Sequence, residues 1–169
     1  MSDPDLILYT DSSPNGFKIT IALEEMGLPY SLRHVRIDEG EHQRPEFLAL
    51  NPHGRIPVLI DRATGITLFE SAAILLYLAD KSGQLLGHDA PERWACITWL
   101  MFHSASMGPL LGQRVHFECF DSVPNPAAIQ RYRTLTEATF VTLDQHLAQV
   151  EQRPAVQRGI RLPAPATGP

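Results

Sequence analysis

Hydrophobic and polar positions follow two different patterns along the chain. In the first half, short apolar runs that predict buried strands alternate with helical spacings, and the turn 61–65 joins the last two strands as a hairpin. The βαβ–ββα order predicts an α/β domain over residues 1–83 with a four-stranded mixed sheet. Its predicted strands are 6–10, 30–37, 56–60 and 66–69, and its predicted helices are 14–26, 45–50 and one that begins near Ser71.

The second half contains helical spacings only. The composition of residues 83–91 predicts a linker, and the next helical pattern is interrupted at Gly108-Pro109. A long apolar stripe over 129–150 predicts one further amphipathic helix. We therefore expect an all-α domain over 91–159, followed by a disordered Pro/Ala-rich tail over 160–169.

Composition narrows the classes of protein to consider. The 169 residues are 44% hydrophobic and carry a net charge of −5, which predicts a soluble globular chain of one or two small domains. The acidic balance argues against a nucleic-acid binder and against an anionic-membrane binder. Neither a signal peptide nor a transmembrane segment is predicted, so we expect a cytoplasmic protein.

The cysteines and histidines predict neither a disulfide nor a metal site. Cys96 and Cys119 form no Cys-x-x-Cys pair, and we expect each to be a buried apolar filler in a reducing compartment. Four histidines lack metal-ligand spacing, so we interpret them as structural. They are His88, His103, His116 and His146.

The turn between the first strand and the first helix carries the strongest chemical signal. Ser13 stands at the capping position and Pro14 at the first helical position. A strand that leads directly into a helix N-terminus forms an anion site from free backbone N–H groups and the helix dipole. Ser13 and Asn15 flank this site and could stabilise a thiolate. Neither cysteine lies nearby in sequence, so the thiol would come from another molecule.

Four motifs in a fixed order resemble the glutathione transferases, in particular bacterial members similar to the nu class, of the disulfide-bond oxidoreductase type. The resemblance implies a thioredoxin-like, glutathione-binding domain followed by an all-helical domain, and a homodimer. The motifs are Ser13-Pro14-Asn15-Gly16-x-Lys18; Arg44-Pro45-Glu46-Phe47-Leu48 with Asn51-Pro52-x-Gly54-Arg55-Ile56-Pro57; Leu68-Phe69-Glu70-Ser71-x-Ala73-Ile74-Leu75-x-Tyr77-Leu78; and Gly108-Pro109-x-Leu111-Gly112-Gln113.

The resemblance implies two catalytic donors in the first motif. In nu-like members a hydroxyl just before the proline and an asparagine just after it face the glutathione thiol, and these positions are Ser13 and Asn15. Such donors favour the charged thiolate and lower the thiol pKa. Ser12 is an alternative, since other relatives place the hydroxyl two residues before the proline. Ser13 could also act only as a helix cap.

The resemblance assigns most other glutathione contacts to the same domain. It implies a cis Ile56–Pro57 bond, with the Ile56 backbone pairing with the cysteinyl unit like an added strand. Ser71, expected as the N-cap of the third helix, would hold the γ-glutamyl carboxylate, and Glu70 the ammonium. The alternative for Pro57 is an ordinary edge-strand proline.

The glycine end of glutathione needs cations or hydrogen-bond donors. His42, or Gln43 in its place, and Arg55 stand where relatives supply them. Arg131 aligns with an arginine that reaches glutathione from the helical domain of nu-like members. The alternative for each is an ordinary solvated side chain.

The chain departs from the family in its second half. Relatives continue past the long helix with two more helices, one of them begun by a Ser/Thr-x-x-Asp capping box. Here the segment Arg153-Pro154-Ala155-Val156 follows almost directly, with no such box before it. An internal deletion would explain this spacing. It would leave apolar side chains such as Leu143 and Leu147 without a partner, to be covered by dimerisation, domain swapping or collapse.

These observations predict a glutathione-dependent enzyme without a metal. It would activate the glutathione thiol to conjugate an electrophile, as in detoxification, or to reduce a small disulfide. Because no protein cysteine is nearby, disulfide reduction would use two glutathione molecules. The alternative is a non-catalytic binding or regulatory module whose activity was lost with the missing helices.

Overall fold

The computed structural model describes residues 3–151, with side chains described as far as residue 148. The chain forms two compact units, Met1–Leu100 and Met101–Pro169. The sequence places the boundary earlier, at the linker 83–91. Part of the predicted 91–159 domain, the 160–169 tail and the segment 153–156 lie outside the described residues.

The first unit is built on a four-stranded mixed sheet in the order β2-β1-β3-β4. Strand β1 pairs with β2 in parallel and with β3 antiparallel, and β3 pairs with β4 antiparallel. This topology confirms the predicted thioredoxin-like fold. The elements are β1 (Leu6–Thr10), α1 (Pro14–Glu25), β2 (Tyr30–His34), α2 (Pro45–Leu48), β3 (Val58–Asp61), β4 (Ile66–Phe69) and α3 (Ser71–Ser82), and α4 (Ala90–Phe102) follows.

Several element ends differ from the predictions, and three of the differences have a local reason. Strand β2 ends at His34 rather than at residue 37, because the Ile37 N–H donates to the Asp11 side chain instead of to a strand. Strand β3 begins at Val58, just after Pro57, whose nitrogen has no hydrogen to donate. Ser71 is the first residue of α3 and not its cap. Glu70 holds the capping position, with no side-chain hydrogen bond.

Apolar side chains fill both faces of this sheet. One face packs against α1 and α3, and the other carries a smaller cluster formed by Val35, Phe47 and Val58. Alternation along β1 places Leu6 and Leu8 in the larger cluster. The side chains of that cluster with no exposure are Leu8, Ile19, Leu23, Leu59, Ile74 and Leu78.

A buried charge also ties the sheet to α3. Asp61, at the end of β3, is fully buried and accepts from Tyr77 at 2.6 Å and from Lys81 at 2.7 Å. Burial opposes ionisation of Asp61, but these two donors, with the Lys81 charge, leave its pKa below the ordinary value. The carboxylate is therefore compensated, as a buried charge must be.

The second unit is helical, as predicted. After α4 the chain passes through a π-helical segment (His103–Met107) into α5 (Gly108–Val115). A second π-helical segment (His116–Phe120) and a loop lead to α6 (Pro126–Glu151). The irregular turn ends just before Gly108-Pro109, where the proline cannot donate to a preceding carbonyl.

Few side chains of the second unit are buried. Among its described residues only Thr136 and Thr139 are buried, while Phe120 and Val141 are 75% and 59% exposed. Cys96 and Cys119 are free and exposed, so the prediction that they are buried fillers is wrong.

Candidate functional site

The sheet topology brings three functional loops to one edge. Tyr9, near the end of β1, pairs with Val58 at the start of β3, and Val58 pairs with Phe69 at the end of β4. The turn before α1, the Ile56–Pro57 bond and Glu70 therefore leave the sheet at the same edge. Antiparallel pairing of β3 with both neighbours produces this convergence.

Ser13 caps α1 and keeps a hydroxyl hydrogen for a ligand. Its backbone is extended, and its Oγ accepts from the Gly16 N–H at 3.1 Å. A hydroxyl that accepts one hydrogen bond can still donate its own hydrogen. Position 16 has to be glycine, because a Cβ there would collide with Thr10 Oγ1 and the Asp11 carbonyl oxygen.

Asn15 stands on the first turn of α1. Its side-chain oxygen, Oδ1, accepts from Lys18 Nζ at 2.7 Å. The amide nitrogen, which carries two hydrogens, is left for other partners. Ser13 and Asn15 can therefore both present donors at the N-terminus of α1, where the helix dipole also favours an anion.

Asp11 organises this turn, a role that the sequence analysis missed. Its carboxylate accepts from the Ser12 N–H at 2.7 Å and the Ile37 N–H at 3.1 Å, and it pairs with His34 Nε2 at 2.9 Å. These contacts, with the Ile37 N–H as the largest cause, lower the pKa of Asp11 to about 2. A carboxylate one residue after a strand and two before a helix cap was the available signal.

A cavity of about 490 Å³ lies at this edge. It brings together five of the predicted site residues, with Gln43, the predicted alternative to His42. Ile37, His53 and Gly54 also line it and were not predicted. The predicted residues in the cavity wall are Ser13, Asn15, His42, Arg55 and Ile56.

The remaining predicted residues do not line this cavity. Ser12 is exposed, and its N–H donates to Asp11. Glu70 and Ser71 stand at the same sheet edge, on the far side of β3 from β1. Arg131 is on α6, in the second unit.

Two side-chain amides hold the loop that carries Arg55. Asn51, which is 2% exposed, donates to the Arg55 carbonyl at 2.6 Å and accepts from the His53 N–H at 3.0 Å. Gln43 Nε2 donates to the Gly54 carbonyl at 3.2 Å. Gly54 has a φ of +62°, which favours glycine. His42, His53 and Arg55 all line this side of the cavity.

His42 has an unsatisfied polar atom in the cavity wall. Its Nδ1 is buried and has no hydrogen-bond partner among the described residues. Buried polar atoms are normally hydrogen-bonded, so an exception indicates a place where a ligand or a solvent molecule completes the bonding. The donors His42 and Arg55 fit a carboxylate at this end.

One backbone feature at this edge was expected from the motifs, and a second was not. The Ile56–Pro57 bond is cis, as predicted. Glu70 has a φ of 71°, a conformation that costs a non-glycine residue about 1–3 kcal/mol. It leaves the first N–H groups of α3 without a side-chain cap, so they can serve an anion.

Residues 4–80 match the family model described as the N-terminal domain of glutathione S-transferase. Over 145 residues the chain is 41% identical to the disulfide-bond oxidoreductase YfcG of Escherichia coli, which covers 83% of this chain and 67% of that protein. The chain belongs to the glutathione transferase family. This confirms the resemblance drawn from the four motifs.

Other relatives of this chain differ in role and in length. It is 34% identical over 145 residues to the transcriptional regulator URE2 of Saccharomyces cerevisiae, covering 82% of this chain but only 41% of the regulator. A solved glutathione transferase from Burkholderia graminis, with two glutathione molecules bound per subunit, superposes with a TM-score of 0.82. That pair is 32% identical and covers 98% of this chain and 90% of the other.

Residues 3–151 contain no group of three or more His, Cys, Asp or Glu side chains that could hold a metal ion. No helix in the same part of the chain is both long and apolar enough to cross a membrane.

Proposed function

We propose that this transferase binds glutathione in the 490 Å³ cavity and activates its thiol. The observation that carries the proposal is the set of residues that line this one cavity, because they can bind different parts of glutathione. Ser13 and Asn15 stand at the N-terminus of α1, His42 and Arg55 add further hydrogen-bond donors to the wall, and Ile56 is part of the same wall. A γ-glutamyl-cysteinyl-glycine chain needs donors of these kinds.

Each part of glutathione has a proposed partner. The glycine carboxylate would contact His42 and Arg55, and the cysteinyl backbone would pair with Ile56. The γ-glutamyl group would take its partners from Glu70 and from the free N–H groups at the start of α3. Arg131 is a further proposed contact, which rests on the resemblance to nu-like members.

Activation of the thiol follows from the donors at α1. A free thiol has a pKa of about 8.5, and the thiolate is the nucleophile. The Ser13 hydroxyl, the Asn15 amide and the helix N-terminus all favour the anion and lower this pKa. Ser12 stays the alternative hydroxyl donor.

Reduction of a small disulfide is the proposed reaction. The thiolate of one glutathione attacks a disulfide sulfur, the S–S bond breaks, and the departing thiolate takes up a proton. A second glutathione thiolate then attacks the mixed disulfide, which releases the second thiol and glutathione disulfide. Two glutathiones thus supply the two electrons. The oxidoreductase YfcG and the relative with two bound glutathiones support this choice over conjugation of an electrophile.

A non-catalytic regulatory module is the second candidate. Similarity to a transcriptional regulator and the sparse burial in the second unit favour it. Thermal unfolding with and without glutathione tests both candidates, followed by paired assays of disulfide reduction and aromatic halide conjugation. Glutathione that raises the melting temperature without any turnover favours the module. If glutathione leaves the melting temperature unchanged and the protein is not retained on a glutathione matrix, the enzyme proposal is wrong.

We also propose that the chain forms a cytoplasmic homodimer. Exposed apolar side chains on α6, such as Phe140, Val141 and Leu147, supply a reason to associate. Burial returns about 25 cal/mol per Å² of apolar surface, so a few hundred Å² stabilise the assembly by several kcal/mol. The melting temperature should then rise with protein concentration. A monomer at micromolar concentration, with a concentration-independent melting temperature, would contradict this.

A further inference from the structure

The contact between Lys18 and Asn15 lies one turn into α1, beside the cavity wall. Lys18 Nζ donates to Asn15 Oδ1 at 2.7 Å. An ammonium carries donors and no acceptor, so the Asn15 atom that faces it has to be the oxygen. The contact therefore fixes which end of the Asn15 amide is available to a ligand, which a carboxamide alone does not do.

We propose that Lys18 is a positioning residue for the glutathione thiol. Its ammonium holds the Asn15 amide so that the NH₂ group, and not the oxygen, is presented to the sulfur. This inference rests on the proposed function and adds the origin of the Asn15 orientation. Without the ammonium, rotation about χ2 would exchange the two ends at little cost, because that torsion is broad and roughly two-fold. An oxygen facing a thiolate would repel it.

The setting of Lys18 strengthens this contact. The side chain is partly buried, and burial lowers the pKa of Lys18. A partly desolvated ammonium makes a stronger hydrogen bond than one in bulk water, and charge-assisted bonds are roughly twice as strong as neutral ones. The donation also polarises the amide, which makes its N–H groups better donors to an anion.

Substitution of Lys18 should act on the thiol more than on binding. We expect Lys18→Met to raise the pKa of the bound glutathione thiol by about one unit and to lower turnover roughly tenfold, with little change in KM. Thiolate absorbance reports the pKa. Lys18→Arg keeps a cationic donor and should restore most of both. Arg33→Met, which removes a charge from an exposed position on β2, should change neither.

A double-mutant cycle decides whether Lys18 acts through Asn15. In an Asn15→Ala background, Lys18→Met should have almost no further effect on the thiol pKa or on turnover. If the full tenfold effect persists in that background, Lys18 acts directly through its charge, and the proposal is overturned. An unchanged thiol pKa in Lys18→Met alone overturns it as well.

A measurement without glutathione separates this inference from the proposed function. The side-chain amide of Asn15 is observed by NMR in the free protein. Lys18→Met should shift its two N–H resonances, and Arg33→Met should leave them in place. Unchanged resonances in Lys18→Met overturn the proposal. If the wild type binds no glutathione, the proposed function fails, and these resonances still decide how Asn15 is held.

Discussion

The two units of this protein use their apolar side chains in different ways. In the first unit, apolar side chains from β1, β3, α1 and α3 form one core. The largest side chains of this core are fully buried. In the described part of the second, two threonines are the only buried residues, while large apolar side chains such as Phe120 and Leu147 stay exposed. The helices of both units show the same amphipathic periodicity. An amphipathic pattern therefore determines which face of a helix is apolar. It does not ensure that another element packs against that face.

The residues of the candidate site are also unevenly divided between the two units. The cavity belongs to the first unit, together with Ser13, Asn15, His42 and Arg55 in its wall. A rigid core holds the sheet edge from which these loops leave, and catalytic groups need such support. Stability and function should therefore both respond more strongly to changes in the first unit.

The largest effect should come from truncating the first core. Leu78 is fully buried between α3 and the sheet, so Leu78→Ala removes transfer free energy and leaves a cavity, at a cost of about 2–5 kcal/mol of unfolding free energy. Val141→Ala, on α6, should cost the monomer about 0.5 kcal/mol or less. Denaturant unfolding measures both. Equal losses would break the comparison between the units.

The buried ion pair should give the next largest effect. Lys81→Met leaves the Asp61 carboxylate buried with one donor fewer, and because Lys81 is partly exposed we expect a loss of about 2–3 kcal/mol at neutral pH. The pKa of Asp61 is depressed by folding, so its stabilisation is complete above the ordinary carboxyl pKa of about 4. It is lost as the pH falls through the lower folded value.

The pH dependence provides the control for this pair. Lys81→Met should flatten the acid side of the stability curve, while Arg93→Met, which removes a more exposed pair with Asp80, should leave it almost unchanged. An acid limb in Lys81→Met as steep as in the wild type would contradict the assigned role of Asp61.

Ser13→Ala tests the chemistry of the first unit. This substitution removes the hydrogen bond from Ser13 to the charged sulfur, which contributes roughly 1.5–3 kcal/mol. Turnover should therefore fall about ten- to a hundredfold. The KM for glutathione should change much less, because Ser13 acts on the thiolate. Steady-state kinetics measure both constants, and Ser12→Ala is the matched control. A larger fall in Ser12→Ala would move the hydroxyl role to Ser12.

The smallest effects concern binding at the ends of glutathione. Ser71→Ala should raise KM several-fold with kcat unchanged, because the contact is the same in the ground and transition states. Arg131→Ala should give a smaller rise in KM. A fall in kcat at saturating glutathione in Ser71→Ala, with KM unchanged, would contradict the assignment.

Local rules predicted much of this molecule. The strand-to-helix turn, the hairpin and the cis bond follow from neighbouring residues or family motifs, and Ser13, Asn15, His42, Arg55 and Ile56 were predicted and line one cavity. Contacts between distant segments were missed. The Asp11 carboxylate reaches the Ile37 N–H, 26 residues away, and that contact ends β2 early. Exposure of Cys96 was missed because a composition-based preference for burial assumes a partner helix.

We propose above that the cavity binds glutathione and favours its thiolate form. Titration calorimetry in buffers of different ionisation enthalpy tests it, because thiolate formation on binding releases a proton that the buffer takes up. We expect glutathione to bind with proton release near neutral pH, and S-methylglutathione, which has no thiol hydrogen, to bind without it. Ser13→Ala should bind glutathione with less release. Binding without any proton release, or no binding at all, would contradict the account.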